Sequence, residues 1–327
     1  MKHAIEQGHL IFVDEVKRFA TEVADSRCAA IADRLTAPLR VAVSGRRGVG
    51  RSTLAQALAR AAVTVTTPAE ADIDVYVLAE VVKPEDRDAI GAAARPLVAV
   101  LNKADLIATN QPGAHPHGPT GAARTRCARL AAHTGLPIRP VVGLLAVAAL
   151  DDLLDDTLWA ALQVLAGRPA GQPVAPALLD ALDVFGVEQA VAAIRRGATR
   201  DQTRTMLRHL SCIDEVVHTI ESVGTQVHYR RLLDAAAELE TLAVTDRRIA
   251  EFLSCDDTVI ARMTAAVEVV EAAGLNVDRC DSATAYLRRA VGWQRYNRGP
   301  VAGLHRACGA DIVRGSLRLW SKVGSST

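Results

Sequence analysis

The stretch Leu39-Arg-Val-Ala-Val-Ser-Gly-Arg-Arg-Gly-Val-Gly-Arg-Ser-Thr53 joins a short apolar strand, a glycine-rich loop and the start of a helix. Its centre, Gly45-x4-Gly50-Arg51-Ser52, has the spacing of a loop that turns backbone N–H groups toward phosphate oxygens. A helix that follows directly adds its partly positive amino end. A simple basic turn is the alternative, but the strand before and the helix after the loop favour phosphate binding.

The predicted phosphate site consists of nine consecutive residues: Gly45, Arg46, Arg47, Gly48, Val49, Gly50, Arg51, Ser52 and Thr53. Arg51 stands where such loops have a lysine; arginine keeps the positive charge but is longer and planar. Ser52 is the predicted ligand of a Mg²⁺ ion that bridges the β- and γ-phosphates. Arg51 and Ser52 are therefore the predicted catalytic residues, and we expect slow chemistry.

A second motif, Asn102-Lys-Ala-Asp105, follows the apolar run Leu97-Val-Ala-Val-Leu101. An aspartate at this position accepts two hydrogen bonds from the guanine N1–H and amino groups, a donor pair that adenine lacks. Asn102 is expected to tie its loop to the phosphate loop, and the stem of Lys103 to pack over the base. Together the two motifs predict binding of GTP or GDP with Mg²⁺.

The chain between the two motifs is short for a GTP-hydrolysing domain, which needs a threonine-bearing switch and an Asp-x-x-Gly switch. Val65-Thr-Thr-Pro-Ala69 stands where the second switch is expected, with Thr66 in place of the metal-associated aspartate and Ala69 in place of the glycine. Asp72 and Asp74 are alternative metal partners, although Asp72 also suits the entry to a strand. Val142-Gly-Leu144 is a poor match to the loop that closes over the base in such domains. The sequence thus predicts weak or lost hydrolysis.

Strand patterns alternate with helix patterns between residues 38 and 166, which predicts a parallel sheet covered on both faces. The fold class is therefore α/β, a P-loop NTPase G domain, followed by an all-α region. The predicted strands are 39–43, 63–67, 73–79, 97–101 and 138–142. The predicted parts are an N-terminal helix in 1–37, the P-loop domain 38–166, a Pro/Gly-rich linker 167–176 and a helical domain 177–327.

Composition restricts the class of partner. The chain of 327 residues has a formal net charge of +1, so charge gives no argument for a nucleic acid partner. Its longest apolar run, Val141–Leu150, is shorter than the about 20 residues that a membrane span requires. We therefore expect a cytoplasmic protein.

Several segments resemble actinobacterial dynamin-like GTPases, the group that includes the isoniazid-inducible proteins. These segments are Leu35–Arg46, Val98–Leu106, Pro140–Ala146, Leu178–Val187 and Ala193–Gly197. The resemblance implies a helical bundle that the N-terminal helix joins, contact with the inner face of the membrane, and self-assembly or pairing with a related GTPase. Arg51, the collapsed switch region and a short bundle depart from the family pattern.

Two hypotheses of different classes remain open at this point. The first is a guanine-nucleotide-binding protein, a dynamin-like GTPase with weak or lost hydrolysis. The alternative is a pseudo-GTPase, a scaffold or interaction subunit that partners a complete GTPase. An ATP-using enzyme is a third hypothesis, which Asp105 disfavours because its carboxylate suits guanine rather than adenine.

Overall fold

The computed structural model describes residues 7–109, 119–151, 154–169 and 173–324. The strands are β1 Arg40–Gly45, β2 Thr64–Val65, β3 Ile73–Ala79, β4 Leu97–Asn102 and β5 Ile138–Pro140. The helices are α1 Gln7–Val23, α2 Ser26–Thr36, α3 Arg51–Arg60, α4 Pro84–Gly91, α5 Asp105–Thr109, α6 Pro119–Thr134, α7 Gly143–Leu150, α8 Asp156–Ala166, α9 Pro176–Arg195, α10 Arg200–Ser211, α11 Ile213–Ala243, α12 Arg247–Ser254, α13 Asp256–Ala272, α14 Ala283–Asn297 and α15 Gly303–Gly324.

The five strands form one parallel sheet in the order β2-β1-β3-β4-β5. The predicted α/β alternation with a parallel sheet is confirmed. Residues 98–101 of β4 are all buried, because helices cover both faces of such a sheet. In this strand order the direction of winding changes between β1 and β3, and ligands of doubly wound sheets bind at the carboxyl ends of strands there.

The chain divides into two compact units, 39–221 and the combination of 1–38 with 222–327. The division falls within α11, whereas the sequence predicts a domain boundary at the Pro/Gly-rich segment 167–176. Helices α9 and α10 share one apolar core with α7 and α8 in the unit that contains the sheet. A β-carbon on Gly186 of α9 would lie 2.4 Å from Leu145 Cδ2 of α7, so these two helices pack unusually closely.

The other unit is built from α1, α2 and the helices after residue 222, which share one apolar core. The prediction of a single N-terminal helix within 1–37 is wrong, because the chain breaks between α1 and α2. Ala24 adopts a left-handed conformation with φ of 51°, and the Asp25 carboxylate accepts a hydrogen bond from Arg27 N and caps α2. Across the described residues, no helix is long and apolar enough to cross a membrane.

A buried glutamate stabilises the start of α1. Glu268 of α13 accepts a 2.7 Å hydrogen bond from the amide of Gly8. A β-carbon on Gly8 would lie 2.5 Å from the backbone of Ala265, so only glycine permits this approach. Burial raises the pKa of Glu268 to about 7, although the amides of Gly8 and His9 oppose the rise.

This pKa predicts how stability changes with pH. Because the folded-state pKa of Glu268 lies above its ordinary value of 4.5, its contribution is complete below pH 4.5 and is lost as the pH rises through about 7. From pH 4.5 to 8 we expect the free energy of unfolding to fall by roughly 2–3 kcal/mol, at about 1.4 kcal/mol per pKa unit, with most of the fall complete by pH 7. Urea denaturation should show a smaller fall in Glu268→Gln. The exposed Glu251→Gln is the control; an unchanged slope in Glu268→Gln would contradict the assignment.

Candidate functional site

The glycine-rich loop lies between the carboxyl end of β1 and the first turn of α3. Gly50, the residue before α3, has φ of 88°, a left-handed conformation that suits glycine. A β-carbon on Gly50 would lie 2.3 Å from Asn102 Nδ2. Gly48 also has a positive φ, 85°, but a β-carbon there would meet nothing within 4 Å. The loop therefore requires Gly50 for two separate reasons and Gly48 for one.

The backbone of this loop offers unpaired hydrogen-bond donors. The amides of residues 47–52 donate to no acceptor within the described part of the chain. They lie at the amino end of α3, where the helix dipole is positive. Unpaired amides beside a helix amino end form a binding site for an anion such as phosphate.

The three arginines of the loop have different surroundings. Arg46 donates through Nε to both oxygens of the fully buried Asp86 of α4, at 2.9 and 3.1 Å. Asp86 also accepts hydrogen bonds from Tyr76 OH and from Lys83 N. The guanidinium of Arg46 is thus held in a structural network. Arg47 and Arg51 are exposed and form no side-chain ion pair with any described residue.

The network around Asp86 was not part of the sequence prediction. Burial, followed by the bond to Asp86, raises the pKa of Tyr76 to about 12, so the phenol stays a hydrogen-bond donor at neutral pH. The network fixes the start of α4 to the phosphate loop. Its only sequence signal is an acidic residue in the first turn of α4, which is common in helices of any function.

Asn102, at the end of β4, connects three segments. Its Nδ2 donates to Val49 O of the phosphate loop at 2.9 Å, which is the tie expected from the sequence. Its Oδ1 accepts from the amide of Gly143, the first residue of α7, at 3.0 Å. The side chain is 4% exposed, so both bonds lie away from water. The predicted phosphate loop, the predicted base loop and the end of β5 therefore meet at one edge of the sheet.

Lys103 and Asp105 follow directly on this edge. Lys103 is exposed and takes a left-handed conformation with φ of 58°. Asp105 begins α5 and is buried, with 7% exposure. Burial raises the pKa of the Asp105 carboxyl; the charge of Asp183 adds to the rise and that of Lys103 opposes it. A buried carboxylate of this kind gains from ligand N–H donors.

The segment between β2 and β3 stays at the opposite edge of the sheet. Thr66 N donates to Val41 O and Asp72 N donates to Arg40 O, so both ends of the segment bond to the start of β1. Val41 lies four residues before Gly45, about 13 Å away at the rise of a parallel strand. The side chain of Thr66 bonds to Glu70.

The acidic residues predicted as alternative metal partners also lie at the amino edge. Asp72 accepts from Arg40 N, and Asp74 forms an ion pair with Arg95. No group of three or more metal-ligating side chains occurs among the residues that the structure describes. Ser52 is exposed in the first turn of α3 and is the one predicted Mg²⁺ ligand at the loop edge. The donor set does not fit a Mg²⁺ ion held by the protein.

The segment after β5 reaches the site through its backbone. Although Val142-Gly-Leu144 matches the expected base-closing loop poorly, the amide of Gly143 contacts Asn102. The amide of Val142 donates to Ser211 O at the end of α10, at 2.9 Å. A β-carbon on Gly143 would lie 3.1 Å from Asn102 Oδ1 and 3.5 Å from Thr53 Cγ2, so little room is left for a side chain.

Comparison of the chain with protein-family models, curated proteins and solved structures gives no match. The functional assignment therefore depends on the geometry of the site and on the sequence motifs.

The two glycines of the loop provide a matched pair of variants. We expect Gly48→Ala to lower the free energy of unfolding by about 1 kcal/mol, the cost of a left-handed conformation for alanine. Gly50→Ala should lower it by about 2–4 kcal/mol, because the new methyl group also displaces Asn102. Urea denaturation of the full chain measures both values. Equal losses in the two variants would show that Asn102 does not restrict the loop.

Proposed function

We propose that this chain is a guanine-nucleotide-binding protein with weak or lost hydrolysis, whose nucleotide lies along the carboxyl edge of the parallel sheet. The pair of hydrogen bonds made by Asn102 carries the proposal. These bonds bring the phosphate loop, the segment 102–105 and the start of α7 to one edge of the sheet. A nucleotide needs a phosphate subsite and a base subsite at such an edge.

The phosphate subsite is the loop 45–52. Its unpaired amides suit the oxygens of a diphosphate, and the start of α3 adds a favourable field. Arg47 and Arg51 supply two exposed guanidinium groups free to pair with those oxygens. Arginine forms paired hydrogen bonds with phosphate, in contrast to the point charge of a lysine. Arg46 supports this subsite through Asp86 rather than by contact with the ligand.

Asp105 forms the base subsite. A buried carboxylate is favoured when donors reach it, and guanine presents N1–H and an amino group side by side. Adenine presents an acceptor at N1, so it would bring the carboxylate no donor beyond the backbone amides of Asp105 and Leu106. The exposed stem of Lys103 is available to cover the face of the base.

The γ-phosphate has no partner in this proposal beyond the phosphate loop. The segment 66–72 is bonded to the first residues of β1, on the far edge of the sheet. In that segment Asp72 is bonded to Arg40 and Glu70 to Thr66, and Asp74 of β3 is paired with Arg95. Among the described residues, this proposal assigns no second contact to Mg²⁺ and none to the third phosphate beyond the loop.

The second candidate, a pseudo-GTPase subunit that pairs with a complete GTPase or a second copy, is favoured by the same observation. A subunit that cannot respond to the γ-phosphate can still contribute a nucleotide-stabilised surface. Membership of the dynamin-like group and contact with the inner face of the membrane are parts of this proposal, supported by the resembling segments.

A change of base specificity tests the base subsite. In Asp105→Asn the amide offers one donor and one acceptor, which complements xanthine rather than guanine. We expect the Kd for mant-GDP to rise by at least about tenfold and that for mant-XDP to fall, because a hydrogen bond to a charged group contributes about 1.5–3 kcal/mol. The Kd values are measured by fluorescence titration. Asp183→Asn, a change at the neighbouring exposed carboxylate, is the control and should keep guanine preference. If the wild type binds mant-GDP and mant-ADP equally, the assignment of Asp105 is wrong.

Dependence on Mg²⁺ and the third phosphate tests the rest of the proposal. We expect the Kd values for mant-GDP and a non-hydrolysable mant-GTP analogue to differ by less than about threefold, with Mg²⁺ or with EDTA, because each tenfold step requires about 1.4 kcal/mol of additional contact. Arg51→Ala should weaken both nucleotides alike. GTP turnover that Ser52→Ala abolishes would contradict the loss of hydrolysis, and no binding at tens of micromolar would contradict nucleotide binding altogether.

A further inference from the structure

We propose that the helical unit carries a second ligand site, a cavity beside α14 that binds a small planar carboxylate. The cavity has a volume of about 430 Å³ and lies between α14 and the segment that precedes it. Small-molecule sites commonly start at about 300 Å³. Its lining includes Leu275, Arg288, Arg289, Gly292, Trp293 and Tyr296. All of these residues belong to one unit, and none belongs to the proposed nucleotide site.

A buried arginine without an acidic partner gives the cavity its charge. Arg289 is 8% exposed, yet it forms no ion pair with any described residue. Its Nε donates to Ser316 Oγ at 2.8 Å and its Nη1 to Asp278 O at 2.7 Å, so neutral oxygens hold the guanidinium in place. Buried charges in proteins are ordinarily paired, because the loss of hydration is otherwise uncompensated. Burial lowers the pKa of Arg289, although the acidic groups of Tyr286, Asp278 and Asp281 oppose the fall.

The charged side chains around Arg289 are Arg288, Asp278 and Asp281. Arg288 is 3.6 Å from the Asp278 carboxylate and its side chain is 69% exposed, so that pair is weak. The other acidic residue nearby, Asp281, accepts a hydrogen bond from Tyr286 OH. Arg288 and Arg289 line the cavity together with Asp278, while Asp281 is bonded to Tyr286. A ligand carboxylate would complete the pairing by the planar, two-bond geometry that arginine prefers.

Gly292 lies exposed at the rim of the cavity. It lies in the interior of α14, where glycine is less favourable than alanine. Its backbone is not in the left-handed region, and a β-carbon there would meet nothing within 4 Å. Neither conformation nor packing therefore requires glycine at this position. A larger side chain would project into the space that Gly292 leaves free.

The apolar wall selects a flat ligand. Trp293 and Tyr296 pack edge to face, with ring centroids 5.0 Å apart, and the Tyr296 hydroxyl is fixed by His305. Leu275 adds an aliphatic surface. An aromatic ring bearing one carboxylate fits both parts of this lining, since aromatic faces stack and the guanidinium groups bind the acid.

The test uses 2-naphthoate and the neutral 2-naphthamide, which has the same shape. Trp293 becomes the only tryptophan in the chain after Trp159→Phe and Trp320→Phe, so its fluorescence reports on the cavity of the full-length protein. We expect saturable quenching by 2-naphthoate, with a Kd at least about tenfold lower than that for 2-naphthamide. Arg288→Gln, at an exposed position, should reduce this preference at least threefold.

Gly292 variants separate binding in the cavity from contact elsewhere. Gly292→Leu should raise the Kd for 2-naphthoate at least tenfold, while Gly292→Ala should bind within about threefold of the parent and melt at a higher temperature. The melting curve of Gly292→Leu shows whether it folds; should it unfold, Gly292→Met is used instead. Absence of quenching, equal affinity for acid and amide, or unchanged affinity in the filled variant would each overturn the proposal.

Discussion

The candidate site depends on the carboxamide of Asn102. A carboxamide carries a donor and an acceptor on one rigid group, and here both are used on backbone atoms of segments far apart in the sequence. Because the side chain is buried, loss of either bond would leave an unpaired polar atom out of contact with water. The absence of a side chain at Gly50 and at Gly143 fits the space that this group occupies.

The shortness of β2 fixes the position of the segment that follows it. β2 has two residues, and they pair with the first two residues of β1. The connection from β2 to β3 is held beside the first residues of β1 by the amides of Thr66 and Asp72, and Pro68 O accepts a hydrogen bond from Arg95. The segment 66–72 therefore lies at the edge of the sheet opposite to the glycine-rich loop and Asn102.

The sequence predicts the sheet and the tie between the two loops, because buried parallel strands are continuous apolar runs and each loop follows such a run. It does not predict the Arg46–Asp86–Tyr76 network, since 40 residues separate the two charged members and only the fold brings them together. It also misses the break at Ala24. Alanine is a strong helix former, so its left-handed conformation arises from tertiary packing and the cap at Asp25, against local preference.

Helices α9 and α10, which follow the Pro/Gly-rich segment, belong to the unit that contains the sheet because of their contacts near Asn102. α7 starts at the residue that Asn102 holds, and α9 packs closely against α7 at Gly186. α10 ends on Ser211, whose carbonyl accepts from Val142, one residue before that contact. A change in the position of the base loop therefore changes the support of α9 and α10 as well. Composition predicts a linker at 167–176 and a separate helical bundle after it. In the folded chain, α9 and α10 instead pack with α7 and α8 in the unit that contains the candidate site.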